Sequence, residues 1–145
     1  MPPAPTLAPD HDISAGDQLT ALGPELNANQ YRAVHLAARY EEELDWFHQG
    51  LPTAALGVAR CLDIHTGTAR EWIRVGHMLR HLPLIDAAFR ANELSYTKAQ
   101  ILTRWAEEHT EADLLELAHN HSANRLTTAI AKALAVDEDD DERDH

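Results

Sequence analysis

Within the nine residues from Thr66 to Arg74, the side chains of Thr66, Thr68, Arg70 and Arg74 are of the kinds that grip nucleic acid. A guanidinium fork matches phosphate oxygens and guanine edges, and a hydroxyl serves either, so this grouping suits contact with duplex DNA. Lys98 and Arg104 add two weaker phosphate contacts, each equally suited to a surface ion pair. Other constellations carry less. His77 and His81 stand four apart, a metal-binding spacing, but no acidic third ligand accompanies them, and histidines in a last helical turn already complement the helix dipole. His119-Asn120-His121 spells the letters of a nuclease motif. Three adjacent residues cannot converge on one ion from one helical face, so no metal site is expected there. No glycine-flanked serine, Cys–His pairing or phosphate-cradling glycine loop is present. The expectation is a chain with no catalytic residue, cofactor or small-molecule substrate.

Two short helices and a tight turn must position the DNA-contacting group. Val58, Ala59 and Leu62 recur at helical spacing, Asp63-Ile64-His65 breaks the pattern, and Ala69, Trp72, Ile73, Gly76 and Leu79 resume it. Ile64 is placed to plug the gap between helices crossing steeply, as a helix-turn-helix over about residues 53–82 requires. Asp63 stands where glycine is usual, and it tolerates left-handed dihedrals better than most residues. Thr53 is a cap for the first helix; Thr66, with Thr68 as a second candidate, is one for the second. Pro83 closes that second helix by forcing Leu82 from helical dihedrals. Apolar residues then take one side, leaving Arg70, Glu71, Arg74 and His77 outside. The rival reading is a helical protein-interaction module in which this hairpin only packs.

Around the motif the pattern is helical throughout. Val, Ile and Thr nowhere alternate over a strand's length, so an all-α, compact multi-helix domain is expected over residues 25–135. Residues 1–24 read as a mostly disordered arm, with four of the seven prolines in residues 1–12 and a short helix over 13–22 that starts near Ser14 and ends at Gly23-Pro24. A long helix follows over 27–48, stopped by Gly50, with Ala33, Ala37, Tyr40, Leu44 and Phe47 on one stripe. That stripe would seal the core or meet its copy in a homodimer. Past Pro83, a short helix over 84–91 ends at Asn92 in a left-handed stop with Leu94 tucked beneath. Ser95 caps a helix bearing Ala99, Leu102 and Trp105 inward. Thr110 and Asp113 form a capping box for the next, with Leu114, Leu117 and Ala118 inward, and Leu126, Ile130 and Leu134 line the last.

Charge and cysteine usage narrow the setting. Net charge is −12, yet residues 58–105 hold seven bases and four acids, so only the motif segment is positive. The single cysteine, Cys61, has no partner for a disulfide and reads as a small core residue of a reducing cytoplasm, or of the nucleoid if DNA is bound. The first residues lack the basic and apolar regions of a secretory leader, and no run approaches the ~20 apolar residues of a membrane span.

The run REWIRVGHMLRHLPLIDAAFRANELSYTKAQILTRWA, residues 70–106, resembles the 13E12 repeat family, an actinobacterial domain of unknown function often found upstream of an HNH endonuclease domain. The Leu and Ala pattern of residues 110–134 continues that likeness, and residues 58–102 are more loosely similar to ParB-type partition proteins. The resemblance implies an all-helical module associated with DNA, here without the nuclease. It fits either a free-standing regulator or the targeting half of a mobile-element endonuclease. Residues 136–145 read as an acidic disordered tail, and seven acids lie in residues 137–145. Such a run competes with phosphate for a basic face, since non-specific affinity for DNA is mostly electrostatic. Deleting residues 137–145 should therefore tighten duplex binding at low salt in a fluorescence titration; unchanged affinity would remove that role.

Overall fold

The computed structural model describes the backbone of residues 13–143 and the side chains of residues 13–136. Residues 1–12, read above as disordered, and the side chains of the acidic run lie outside the described residues. Within those limits the fold is all-α: α1 (Ala15–Glu43), α2 (Asp45–His48), α3 (Ala54–Leu62), α4 (Thr66–Leu79), α5 (Pro83–Arg90), α6 (Tyr96–Trp105), α7 (Glu111–Asn120) and α8 (Ala123–Arg143).

The punctuation of the chain follows local chemistry. Ser14, Thr53 and Ser95 cap α1, α3 and α6 by accepting the amides of Asp17, Leu56 and Lys98. Asp63 (φ 55°) and Asn92 (φ 63°) adopt the left-handed stops expected of them, and in each case the next amide reaches back five residues, Ile64 to Ala59 and Glu93 to Ala88. Leu94 is buried under its stop. Two boundaries differ. Pro24 does not end a helix but sits inside α1, because it costs one backbone hydrogen bond in a run of good helix formers such as Ala21, Leu22 and Glu25. The helix instead stops at Leu44, which is left-handed at φ 61°, before the position expected near His48. Pro83 is the first residue of α5, where its missing N–H has no role, rather than a terminator of α4, which already ends at Leu79.

Two apolar clusters share α4. Val75 and Leu79 join Val34, Leu82, Ile85, Phe89, Leu94, Leu102, Leu126 and Ile130 in the larger one; Ala69 and Ile73 join Ala37, Ala54, Ala55, Val58 and Ala59 in the smaller. The helix taken to face outward is thus the one the rest encloses. Of its residues only Gly67, Thr68 and Arg70 are exposed. Several inward expectations fail with it: Leu62, Trp105, Leu44 and Phe47 are exposed, and so is Cys61, which lies at the α3 surface and not in the core. Of the stripe assigned to the first long helix, Ala37 is buried in the smaller cluster, while Leu44 and Phe47 lie beyond the helix end.

The closest approach of one helix backbone to another at a glycine is at Gly76. A Cβ built there would stand 2.1 Å from the Val34 carbonyl oxygen and 2.8 Å from the Ala38 Cβ, so the α4 backbone lies against the backbone of α1 with no room to spare. A Cβ at Gly67 meets nothing within 4 Å. Gly76→Ala should cost at least about 1–3 kcal/mol in denaturant unfolding, whereas Gly67→Ala should stay within about 1 kcal/mol of wild type or stabilise it. Equal effects would refute the close crossing.

Candidate nucleic-acid interface at the start of α4

The six residues expected to touch DNA divide into two sets. Thr66, Thr68 and Arg70 lie within the first five residues of α4, beside the three-residue turn 63–65. Thr66 is not the cap. His65 holds that position and makes no side-chain cap bond, so the first-turn amides of α4 are not taken by a capping side chain. Thr66 is half-buried, while Thr68 and Arg70 are exposed. Neither Arg70 nor Arg60, on the last turn of α3, forms an ion pair among the described residues, and both are exposed.

The second set is engaged within the protein. Glu71, one turn along, collects Arg74 and Arg104 onto a single carboxylate. Arg74 Nε lies 3.1 Å from both Glu71 oxygens and its Nη2 is 2.5 Å from Oε1; Arg104 Nη2 donates to Oε1 at 3.1 Å and Gln100 Nε2 at 3.2 Å. Arg74 Nη2 also reaches the Gln100 carbonyl and Thr103 Oγ1, each at 3.3 Å. These bonds tie α4 to α6. The hydrogen bonds from Arg74 dominate in holding the Glu71 carboxyl down to about 2; burial opposes them, and Gln100 and the two guanidinium charges assist. Lys98 is likewise occupied, its Nζ donating at 2.7 Å to the Ala118 carbonyl in the last turn of α7. Arg74, Arg104 and Lys98 are thus each bonded to an acceptor within the protein, for Lys98 and Arg104 the alternative that the sequence left open.

His77, half-exposed, turns to the end of α1, its Nε2 2.7 Å from Glu41 Oε1 and its Nδ1 3.6 Å from Glu42, which pairs with Arg80 as well. His119 and Asn120 are exposed at the end of α7, and His121 Nδ1 lies 2.8 Å from the Leu117 carbonyl. Thr110 heads α7 without the expected capping bond; its hydroxyl turns back to Glu107. Among the described residues no group of three or more His, Cys, Asp or Glu side chains is arranged to hold a metal, and no helix is long and apolar enough to cross a membrane.

Several working residues escaped sequence reasoning. Glu111 is buried and accepts the Ile85 amide at 2.8 Å, capping α5 from the start of α7. Asp86 accepts Tyr31 Oη at 3.0 Å and contacts His35 Nε2 at 2.7 Å, fastening α5 to α1; burial first, and then the Asp86 charge, pushes the Tyr31 hydroxyl pKa up. Asn27 accepts the Tyr96 amide and donates to the Leu94 carbonyl, locking α1 to the turn before α6. All three span dozens of residues, beyond the reach of local pattern. The Glu71–Arg74 pair was accessible, since residues three apart on a helix are neighbours.

The family model described as "Domain of unknown function (DUF222)" matches residues 18–136. The chain belongs to the DUF222 family. The match begins inside α1 and ends inside α8, so the DUF222 region takes in both apolar clusters and the Glu71 hub. No curated protein and no solved structure matches the chain.

The hub gives the DUF222 fold an acid limit. Glu71 in the unfolded chain takes up a proton near its ordinary 4.5, while the folded group resists until about 2, so its stabilisation is full above 4.5 and drains away as pH falls to about 2. After solvent screening this amounts to about 1–2 kcal/mol. Glu71→Gln should be less stable than wild type by that amount at pH 7, with the two denaturation midpoints converging as pH approaches 2. Curves that stay parallel would contradict this role for Glu71.

Proposed function

We propose that this DUF222 domain is a non-catalytic module that binds duplex DNA with the first turn of α4, a helix-turn-helix in function as well as outline. The observation that carries the reading is the contrast along one helix. Past Arg70 α4 is packed and its one further arginine neutralised, whereas its start presents Thr68, Arg70 and amides that no side chain caps, and Arg60 is exposed on the last turn of α3. Backbone amides and hydroxyls at a helix start hold phosphates, and an arginine at that end reaches base edges. The contact set is thereby narrowed to Thr66, Thr68 and Arg70, with Arg60 added and Arg74, Lys98 and Arg104 assigned to the fold. On the 13E12-type reading the domain supplies grip on DNA to an HNH nuclease carried elsewhere, or acts alone as a regulator.

A second reading is a helical protein-interaction module with no affinity for DNA, favoured by the exposed leucines of α1. Salt-dependent titration of the full chain against random duplex separates the two. Under the DNA reading, Arg60→Glu with Arg70→Glu should weaken binding by about 1–3 kcal/mol per contact and flatten the salt slope. Arg74→Ala should lower stability and leave affinity near wild type. No measurable binding by the wild-type chain at low salt ends the DNA reading.

A further inference from the structure

The outward face of α1 bears a heptad repeat. Leu19, Leu22, Leu26, Asn29, Ala33, Leu36 and Tyr40 follow one another at alternating steps of three and four, the spacing of a coiled-coil seam about 30 Å long. The same helix packs into the protein on the neighbouring side through Val34, Ala37 and Ala38, with Tyr40 at the end of the seam resting against the smaller apolar cluster. Leu19, Leu22, Leu26 and Leu36 remain between 42% and 67% exposed, and Pro24 lies off the seam. Toward its C-terminal end the seam opens into an apolar groove of about 330 Å³ between α1 and α3, walled by Ala33, Leu36, Tyr40, Val58, Cys61 and Leu62.

We propose that a second copy of the chain covers this face, with the two α1 helices antiparallel and the projecting leucines of each seated in the groove of the other. Leu19 and Leu22 cannot fill the groove of their own chain, because Leu22 and Leu36 are about 21 Å apart on one continuous helix. A two-fold axis between Leu26 and Asn29 resolves this. It sets Leu19 against Leu36, Leu22 against the small Ala33, and Leu26 against Asn29 of the other copy, so projection meets recess twice in one isologous contact.

Charge fixes the direction. Along the edge of the seam the sequence places Gln18, Glu25, Arg32 and Arg39, with Glu25 and Arg32 exposed and free of ion pairs among the described residues. An antiparallel pairing in this register brings Glu25 of each copy beside Arg32 of the other, two complementary pairs. A parallel pairing would place Glu25 beside Gln30 and Arg32 beside Ala37 and gain none. The inference stands on α1 and α3 and does not depend on binding of DNA.

The test is sedimentation equilibrium of the full chain without DNA, at about 5–200 µM. A dimer is expected, and Leu22→Glu with Leu26→Glu should raise its Kd more than about tenfold while far-UV circular dichroism is retained, since both side chains are exposed in the monomer. Glu25→Arg and Arg32→Glu should each weaken the dimer, and together restore it. Direction is read from Leu22→Cys under mild oxidation, where peptide mapping should find the introduced thiol joined to Cys61 of the other copy. A wild-type monomer throughout, as when residues 1–12 of the same chain cover the seam, overturns the proposal. So does a dimer insensitive to the glutamates, or one in which the two introduced thiols are joined to each other.

Discussion

Everything in this fold is arranged about the place where α4 crosses α1 with a glycine at the contact. Gly76 has no side chain to hold the helices apart, so the Val34 carbonyl and Ala38 come within reach of its Cα hydrogens. Because of that approach, α4 can offer Val75 and Leu79 to one apolar cluster and Ala69 and Ile73 to the other. Burial of this kind contributes roughly 25 cal/mol per Å² of apolar surface. A helix contributing to two clusters at once ties them into one cooperative unit.

The polar contacts follow the same geometry. With its apolar residues committed on several sides, α4 has little perimeter left, and each polar residue on it must find a neighbour. Glu71 and Arg74 find α6, and His77 finds the acids at the end of α1. On α4 only Gly67, Thr68 and Arg70, next to the 63–65 turn, remain exposed. The same constraint yields an anchored helix and a small exposed tip, and the proposed contact with DNA is confined to that tip.

How far this could be read beforehand depended on the range of each interaction. Helix positions and most stops were legible, because caps such as Thr53 and Ser95 and left-handed stops such as Asp63 and Asn92 act within a few residues. The inward positions Ala69, Ile73, Gly76 and Leu79 were legible from period alone. What period could not convey was that the other side of α4 is covered too. Arg104 reaches Glu71 across 33 residues and Lys98 reaches α7 across 20, and no local pattern separates a cation bound for phosphate from one bound for a carboxylate. Pro24 misled for a different reason: the rule that proline ends a helix yields where flanking residues favour helix strongly enough to absorb one lost hydrogen bond.

That α4 is the shared core of both clusters can be measured by native-state hydrogen exchange resolved to single amides. The amides of residues 72–79 should exchange only through global unfolding, with opening free energies equal to that from denaturant melts and equal to those of Leu102 in α6 and Val34 in α1. Sub-global opening of residues 72–79 while Leu102 and Leu126 remain protected would show that α4 is a peripheral helix, and the arrangement described here would be wrong.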